Sequence, residues 1–399
     1  MKRLKFILTI FLLFIMYVYI SYICLMPNNI FLLNEEGLDV KKLPFIQFIE
    51  TTTTSNNNYN TSNIEVKLLG KIPIKNIKVV KLEEVQVVPI GKVIGLKLYT
   101  NGVLVVGMSE IEDKNNVLSK PYENSDIKPG DTILEINEVI IENIEMLKMM
   151  VNESEGKEIN LKVLRNGNIL NTSIIPVDIG NKKYQLGLWV KDAATGVGTM
   201  TFYEPETKSF AILGHGITDS DTNNLINIDS GELVTAKIIS LKKGVENTPG
   251  EIKGTIINSQ TIGEINKNTQ FGVFGILNNL TALNIDSSNS IKVATRNEIK
   301  EGKAKVMCSI NFSNIPKEYE IEIEKIYKEN DYNNKSMLIK ITDEELLNET
   351  GGIIRGLSGA PIIQDGKFIG AVTNVLVSNP QIGYAIFADM MIKELNILD

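Results

Sequence analysis

Apolar residues form one long run near the start of the chain and short, separated groups elsewhere. The run extends from Phe6 to Met26 and follows three positive charges within residues 1–5. It has about the 20 residues that a helix needs to cross a bilayer, and the basic residues before it favour a cytoplasmic N-terminus. We predict a transmembrane anchor over residues 1–26. The run is long for a signal peptide, and no small-residue cleavage site follows it, so the alternative, cleavage as a signal peptide, is disfavoured.

A polar, low-complexity tract follows the apolar run. Residues 51–63 consist only of threonine, serine, asparagine and one tyrosine. Such a tract has too little apolar surface to form a core, and exposed tracts of this kind are where proteolysis concentrates. We therefore predict an extracytoplasmic polar tether over residues 27–65.

Short alternating apolar segments begin at Ile64 and continue to about residue 178. They include strand-like runs, a turn at Lys128-Pro129-Gly130-Asp131 and a segment of helical spacing at 144–152. The run Lys-Pro-Gly-Asp-x-Ile-Leu-x-Ile-Asn, followed by that helix, resembles a PDZ domain. The resemblance implies that an extended peptide adds to a sheet edge beside a glycine-containing loop, and Gly95 and Leu96 occupy the matching position. We expect a PDZ domain with its preceding strands over residues 66–180; a scaffold without a ligand is the alternative.

The pattern after residue 181 is a series of short strands separated by glycine, asparagine and proline. This spacing favours a β-sandwich or β-barrel over an alternating βαβ fold. The last segment, 388–398, has the spacing of a helix. We therefore predict a second domain over residues 181–399 and a mainly β fold for the whole extracytoplasmic part.

Two glycine-flanked residues in the second domain carry candidate chemistry. Ser358 lies in Gly356-Leu357-Ser358-Gly359-Ala360-Pro361, and the only histidine of the chain, His215, lies between Gly214 and Gly216. A serine hydroxyl becomes a nucleophile when a base removes its proton and N–H groups stabilise the resulting oxyanion. We predict His215 as the base and the N–H groups of Gly356 and Ser358 as the oxyanion hole. A turn serine and a core histidine without catalytic roles are the alternative.

Composition and charge bear on whether the protein has a nucleic-acid partner, a metal or a cofactor. The net charge is −7, and the basic residues after the N-terminus are scattered, so we predict no nucleic-acid partner. The two cysteines and the single histidine have no metal-ligand spacing. We expect no metal and no cofactor.

The serine segment and three others resemble known peptidases. Gly356 to Pro361 is similar to the Gly-Asp-Ser-Gly-Gly-Pro of chymotrypsin-type proteases, with Leu357 in place of the aspartate. Residues 198–205, 213–215, 247–251 and 350–361 resemble the stage IV sporulation protein B peptidase family. The order of anchor, tether, PDZ domain and serine peptidase domain agrees across nearly the whole chain. The resemblance implies a trypsin-like double β-barrel for residues 181–399.

A serine peptidase triad also needs an acid beside the serine and the histidine, and the sequence offers several candidates for it. The resemblance implies Asp343 as the catalytic acid, in the order histidine, aspartate, serine that the trypsin-like template requires. Thr342-x-x-Glu345 is also a capping-box pattern, so Asp343 has an alternative role at a helix N-terminus. Asp219, Asp221 and Asp229 are rival acids.

The resemblance also implies a function. It implies an extracytoplasmic serine endopeptidase of sporulation, released into the space between mother cell and forespore. There it would cut a membrane-bound regulator of an intramembrane protease and so trigger activation of a late mother-cell sigma factor. We also expect self-cleavage in the tether, between about Phe45 and Ser62. The alternative is a non-catalytic PDZ adaptor at the membrane; a quality-control protease is disfavoured because it usually places PDZ domains after the protease domain.

Overall fold

A computed structural model describes most of the chain after residue 84. The described residues are 17, 21, 29–33, 46–56, 59–68, 70–82, 85–165, 167–327 and 334–395. Apart from Tyr17 and Ser21, which are helical, the predicted anchor lies outside them. Within these ranges no helix has the length and hydropathy required to cross a membrane.

The first described unit is a four-stranded sheet. Its strands are β1 (Asn29–Leu33), β2 (Ile46–Asn56), β3 (Tyr59–Leu68) and β4 (Ile72–Leu82). The order is β1-β4-β3-β2, with β1 parallel to β4 and the other pairs antiparallel. The polar tract predicted as a tether is therefore paired: Thr52 lies opposite Asn63, and Thr54 opposite Thr61. The expectation that these residues stay unpaired is wrong, because strand pairing satisfies their backbone groups and threonine favours strands. The extracytoplasmic tether over residues 27–65 stays a prediction.

The second unit surrounds one amphipathic helix. Its elements are β5 (Gln86–Met108), β6 (Ile111–Glu112), β7 (Leu118–Ser119), a 3-10 helix (Pro121–Asn124), β8 (Thr132–Ile136), β9 (Val139–Ile140), α1 (Ile144–Glu153), β10 (Ile159–Arg165), β11 (Asn168–Ile174), β12 (Val177–Asp178) and β13 (Tyr184–Gln185). Helix α1 begins where the Asn143 side chain accepts a hydrogen bond from Met146 N at 2.9 Å. It buries Leu147 and Val151, four residues apart on one face, against the sheet.

The third unit is a closed six-stranded barrel. Its elements are β14 (Leu188–Tyr203), β15 (Ser209–Ile212), β16 (Ile228–Lys242), β17 (Glu251–Thr269) and β18 (Gly272–Leu277), followed by 3-10 helices (Thr281–Leu283, Ser287–Asn289) and β19 (Ile291–Lys292). The strand order β5-β14-β15-β18-β17-β16 returns to β5 through the β5–β16 pairing. Ile94, Leu96 and Leu98 of β5 point into this barrel.

Strand β5 changes the predicted domain boundary. Its residues 93–100 pair in the barrel, whereas Val103 and Leu104 pair with β8 of the second unit. The barrel therefore takes its first strand from before the PDZ-like unit, which is inserted between β5 and β14. A boundary at residue 180 does not separate the two, because one continuous strand serves both.

The fourth unit is a second closed six-stranded barrel. Its elements are β20 (Gly302–Cys308), β21 (Lys317–Ile326), β22 (Met337–Ile341), α2 (Glu344–Thr350), β23 (Pro361–Gln364), β24 (Lys367–Val375), β25 (Ile382–Phe387) and α3 (Ala388–Leu395). The strand order is β20-β21-β22-β25-β24-β23. Phe202 of the first barrel meets Phe368 of the second edge to face, with ring centroids 5.2 Å apart, so the barrels share one core. The predicted C-terminal helix is confirmed as far as Leu395.

Candidate active site

Ser358 lies in the loop that joins α2 to β23. Helix α2 ends at Gly351, whose left-handed backbone (φ 76°) turns the chain and whose N–H donates to Leu347 O. Buried Thr350 secures the turn because its hydroxyl lies 2.7 Å from Leu346 O and 2.6 Å from Gly352 O. The loop then enters β23 and the second barrel.

Gly359 brings the serine loop against the first barrel. Its φ is +93°, and a Cβ at this position would lie 2.3 Å from Thr199 O and 2.5 Å from Leu213 N. Only glycine permits both the backbone angle and this approach. Thr199 also donates its hydroxyl to Gly356 O at 2.6 Å, across the two barrels. The serine therefore lies beside the strand end that carries the histidine.

His215 follows β15 on a tight turn. Leu213 and Gly214 both have positive φ, 73° and 68°, which turns the ring away from the strand direction. The ring nitrogen Nδ1 lies 2.9 Å from the Gly216 carbonyl. A carbonyl only accepts hydrogen bonds, so Nδ1 carries the proton in the neutral ring and Nε2 has the free lone pair. That tautomer is the one a general base requires.

The segment after His215 is held by two side chains. Asn268 of β17 accepts from Ile217 N at 2.8 Å and donates to the carbonyls of Ile217 and Ile226. Asp219, which is 4% exposed, accepts from the N–H groups of Asp221 and Thr222, each at 3.0 Å. These contacts fix the loop and hence the Gly216 carbonyl that orients the imidazole.

His215 and Ser358 line one cleft between the barrels. The cleft has a volume of about 950 Å³. Its walls come from β5, β14 and the loop after His215 on one side, and from the serine loop, Asn334 and Asn374 on the other. The structure thus brings the predicted base and nucleophile to the same cavity although they are far apart in sequence.

The serine hydroxyl is bonded away from the histidine in this structure. Ser358 Oγ donates to the Thr373 carbonyl at 2.7 Å. Within the serine loop, the N–H groups of Leu357, Gly359 and Ala360 donate to backbone carbonyls. Those of Gly356 and Ser358 have no such backbone partner among the described residues. The two N–H groups predicted for the oxyanion hole are therefore available.

The pH dependence of activity follows from the burial of His215. Burial lowers the pKa of His215, and the Nδ1 bond to Gly216 O opposes this only in part. The neutral form is the base, so activity is lost as pH falls through the lowered pKa. We expect the acid limb of a kcat/KM profile to have its midpoint below the ordinary histidine value of about 6.5. A midpoint above that value would contradict this.

Asp343 lies outside the cleft, at the N-terminus of α2. Its carboxylate accepts from Leu346 N at 3.0 Å and from Glu320 N at 3.3 Å. The capping alternative is therefore what the structure shows, and no contact joins Asp343 to His215 among the described residues. Of the rivals, Asp219 and Asp221 pair with Lys191, and Asp229 is exposed. The Gly216 carbonyl, and not a carboxylate, accepts the hydrogen bond from His215 Nδ1–H here.

Substitution of Asp343 separates capping from catalysis. Asparagine caps helices about as well as aspartate, so we expect Asp343→Asn to keep the thermal stability and to keep kcat/KM within about tenfold. Asp343→Ala removes the cap and should cost about 1 kcal/mol of unfolding free energy. A fall in kcat/KM of about 10⁴-fold for Asp343→Asn, the size seen when a triad aspartate is replaced, would show that the carboxylate acts on His215.

A second concave site lies beside α1. This groove, about 470 Å³ in volume, is bounded by Leu147, Lys148 and Val151 of α1 and by residues 184–190. Gly95 and Leu96, predicted to bind a peptide, are not part of it. Leu96 pairs with Gly196 on one edge of β5 and with Leu233 on the other. A peptide strand cannot add there, so that prediction is wrong.

Sequence reasoning missed several groups of the cleft. Gly216 and Thr373 act through their backbone carbonyls, which leave no side-chain signal in a sequence. Asn334 lines the cleft with a buried Oδ1 that has no hydrogen-bond partner among the described residues. No group of three or more histidine, cysteine or acidic side chains in the described ranges is arranged to hold a metal ion.

Two β-barrels with a serine and the only histidine on their shared cleft define a candidate hydrolase of the serine peptidase class. Comparison with protein-family models agrees. Residues 182–392 match the model described as SpoIVB peptidase S55, and residues 94–175 match the PDZ domain model. The first match covers more than half of the chain, and the protein belongs to the SpoIVB peptidase S55 family. It is thus a SpoIVB-like serine peptidase that carries a PDZ domain.

Proposed function

We propose that the protein is a membrane-anchored, extracytoplasmic serine endopeptidase of sporulation. The observation that supports this most directly is the shared cleft with His215 and Ser358 on opposing barrels and two free N–H groups beside the serine. Two closed six-stranded barrels support a trypsin-like architecture. The proposed substrates are the protein's own N-terminal region and a membrane-bound regulator of an intramembrane protease, whose cleavage leads to activation of a late mother-cell sigma factor.

The proposed reaction is acyl transfer to the serine. On substrate binding, the Ser358 hydroxyl turns from the Thr373 carbonyl to His215 Nε2, which takes its proton as Oγ attacks the peptide carbonyl. The N–H groups of Gly356 and Ser358 stabilise the oxyanion, a contribution of about 3–4 kcal/mol for a single donor in related enzymes. The imidazolium then protonates the leaving amine, and water hydrolyses the acyl-enzyme by the same steps.

Self-cleavage requires a change in the N-terminal sheet. The proposed region between Phe45 and Ser62 is largely paired in β2 and β3. A protease cleft accepts an extended segment whose backbone is free, so the β2–β3 pairing must open before this region can be cut. We propose that such opening limits the rate of self-processing.

A serine-directed probe and self-processing test the proposal together. The full-length protein should be labelled by a fluorophosphonate at Ser358 and should yield fragments that end within residues 45–62. Ser358→Ala should show neither. Fluorophosphonate labelling without fragments would support the proposed peptidase activity and would show that self-cleavage does not occur under those conditions. No labelling of folded protein would refute the peptidase and favour the adaptor.

A further inference from the structure

Strand β14 borders both concave sites of the molecule. Its start and the residues before it, 184–190, line the groove beside α1 one after another, and residues 194–197 line the catalytic cleft. Side chains of a strand alternate between its two faces. A site that touches every successive residue therefore lies against the backbone edge. Only residues 191–193 separate the two sites, about 10 Å at the rise of a strand.

The outer edge of β14 is open along this stretch. Strand β5 pairs with one edge of β14 from Leu188 onward, whereas β15 reaches the other edge only at Met200. In the described part of the chain no strand pairs with that outer edge between Leu188 and Gly198. Trp189 is 64% exposed. An open strand edge beside a helix is where an extended peptide adds.

The groove has the chemistry to hold a carboxylate. Its lining includes Lys148 and Lys183 and no aspartate or glutamate, although Lys148 also contacts Glu145 at 2.9 Å. Gly187 has a positive φ of 68° and lies where the groove meets the sheet. A peptide whose C-terminus lies at Gly187 extends antiparallel to β14, toward residues 194–197. The groove therefore directs the preceding part of that peptide to the cleft.

The segment between the two sites is fixed on both sides. Asp192 accepts a hydrogen bond from Ile144 N, at the start of α1, at 2.8 Å. Lys191 Nζ lies 2.9 Å from Asp219 Oδ2 and also contacts Asp221, in the loop after His215. The adjacent side chains thus tie the groove to the histidine loop. The distance between groove and cleft is set by the fold and not by a flexible linker.

We propose that one substrate chain occupies the groove and the cleft together. Its C-terminal carboxylate lies near Gly187, and the peptide bond to be cut lies near Gly196 and Ser358. The chain is an extended strand on the edge of β14, so the cut falls about nine residues before the C-terminus, by one-to-one pairing from Gly187 to Gly196. The inference rests on the proposed endopeptidase activity, to which it adds a substrate class: unfolded C-terminal segments.

Cleavage of randomised peptides tests this register. Full-length protein is incubated with random 18-residue peptides that have a free C-terminal carboxylate and with the same library amidated. With the free carboxylate we expect cuts to cluster six to ten residues before the end. Amidation should lower the rate in that cluster roughly tenfold, because the second contact no longer raises the local concentration. Cuts spread evenly along the peptides, or the same cluster with the amide, would overturn the proposal.

Two lysine variants test whether the groove is the site that binds the peptide carboxylate. Lys148→Glu places a negative charge in the groove, and we expect it to act like amidation. Lys157→Glu makes the same charge change at an exposed position that does not line the groove, and it should leave the cluster unchanged within twofold. Equal effects of the two variants would exclude the groove as the anchor.

The fluorescence of Trp189 measures peptide binding in the groove independently of peptide cleavage. It is the only tryptophan of the chain, so its emission in Ser358→Ala protein should shift to shorter wavelength with the free-carboxylate library and not with the amide. A shift in Trp189 emission combined with evenly spread cuts would overturn the proposal that one chain occupies the groove and the cleft at a fixed spacing. A shift with no cuts by the unmodified protein would overturn the endopeptidase activity on which the register rests, and would leave the groove as a binding site.

Discussion

Replacing Ser358 with alanine is expected to remove peptidase activity almost completely. The hydroxyl lines the same cleft as the histidine base, and the N–H groups of Gly356 and Ser358 beside it have no backbone partner among the described residues. In serine peptidases loss of the nucleophile lowers kcat by up to about 10⁶-fold, and the remainder comes from binding and the oxyanion hole. We expect a fall of about 10⁴- to 10⁶-fold for Ser358→Ala. His215→Ala should have an effect of similar size, and the double variant should lose little more, because the two act as one unit.

The measurement is kcat/KM on a cleaved peptide together with the unfolding transition of each variant. Ser358→Ala removes one hydrogen bond, to Thr373 O, so the unfolding free energy should change by about 1 kcal/mol. Ser290→Ala also removes one serine hydroxyl that donates to a backbone carbonyl, that of Ser287 at 2.7 Å, at a position that does not line the cleft, and it serves as the control. Retention of more than about 1% of the activity by Ser358→Ala would show that another group is the nucleophile.

Replacing Asp389 with alanine is expected to cause a large loss of stability. Asp389, in α3, receives two hydrogen bonds from Arg296, at 2.8 and 3.1 Å, and the two side chains are 1% and 2% exposed. Arg296 lies in the segment between the barrels and also stacks 4.9 Å from the Phe387 ring. Removing one partner of a buried ion pair costs about 3–5 kcal/mol, because the other charge loses hydrogen bonds that compensate its burial. The loss should appear in the midpoint of denaturant unfolding.

A double substitution distinguishes the charge effect from lost packing. Arg296→Met with Asp389→Leu replaces both partners with apolar side chains of related volume and should recover most of the stability, because no unpaired charge remains. Glu318→Ala removes a partner from the exposed Lys305–Glu318 pair, and we expect it to change the midpoint little. If Asp389→Ala changes the midpoint no more than Glu318→Ala does, the buried pair does not stabilise α3.

The Ser358–Thr373 hydrogen bond bears on regulation. With its hydroxyl held by a backbone carbonyl, the serine is not yet engaged with His215, although the imidazole already has its reactive tautomer. The loop after His215 contacts Lys191 of β14 through Asp219, and the next residue, Asp192, contacts the start of α1 in the PDZ unit. If one substrate chain occupies the groove and the cleft as proposed, these two adjacent residues connect the groove to the loop that holds the imidazole.

Local pattern predicted much of this molecule. The strand-like segments, the amphipathic spacing that became α1 and the glycine-flanked Ser358 and His215 were recognisable because each depends on neighbouring residues. The prediction that the polar tract is unpaired was wrong for residues 51–56 and 59–63, where partner strands supply hydrogen bonds that composition does not show. The peptide-binding prediction was also wrong for Gly95 and Leu96, because the pairing of β5 on both edges is a long-range property.

The β-rich fold was predictable from strand spacing along the chain, and the serine peptidase and PDZ classes from the resemblance of a few local motifs to known families. The tertiary structure was needed to establish that β5 and β14 each serve two units, that Asp343 caps a helix, and that the Gly216 carbonyl orients the histidine. These outcomes depend on which edges and carbonyls meet after barrel closure. Every residue except proline has the same backbone N–H and C=O groups, so their partners are set by closure of the barrels and not by residue type.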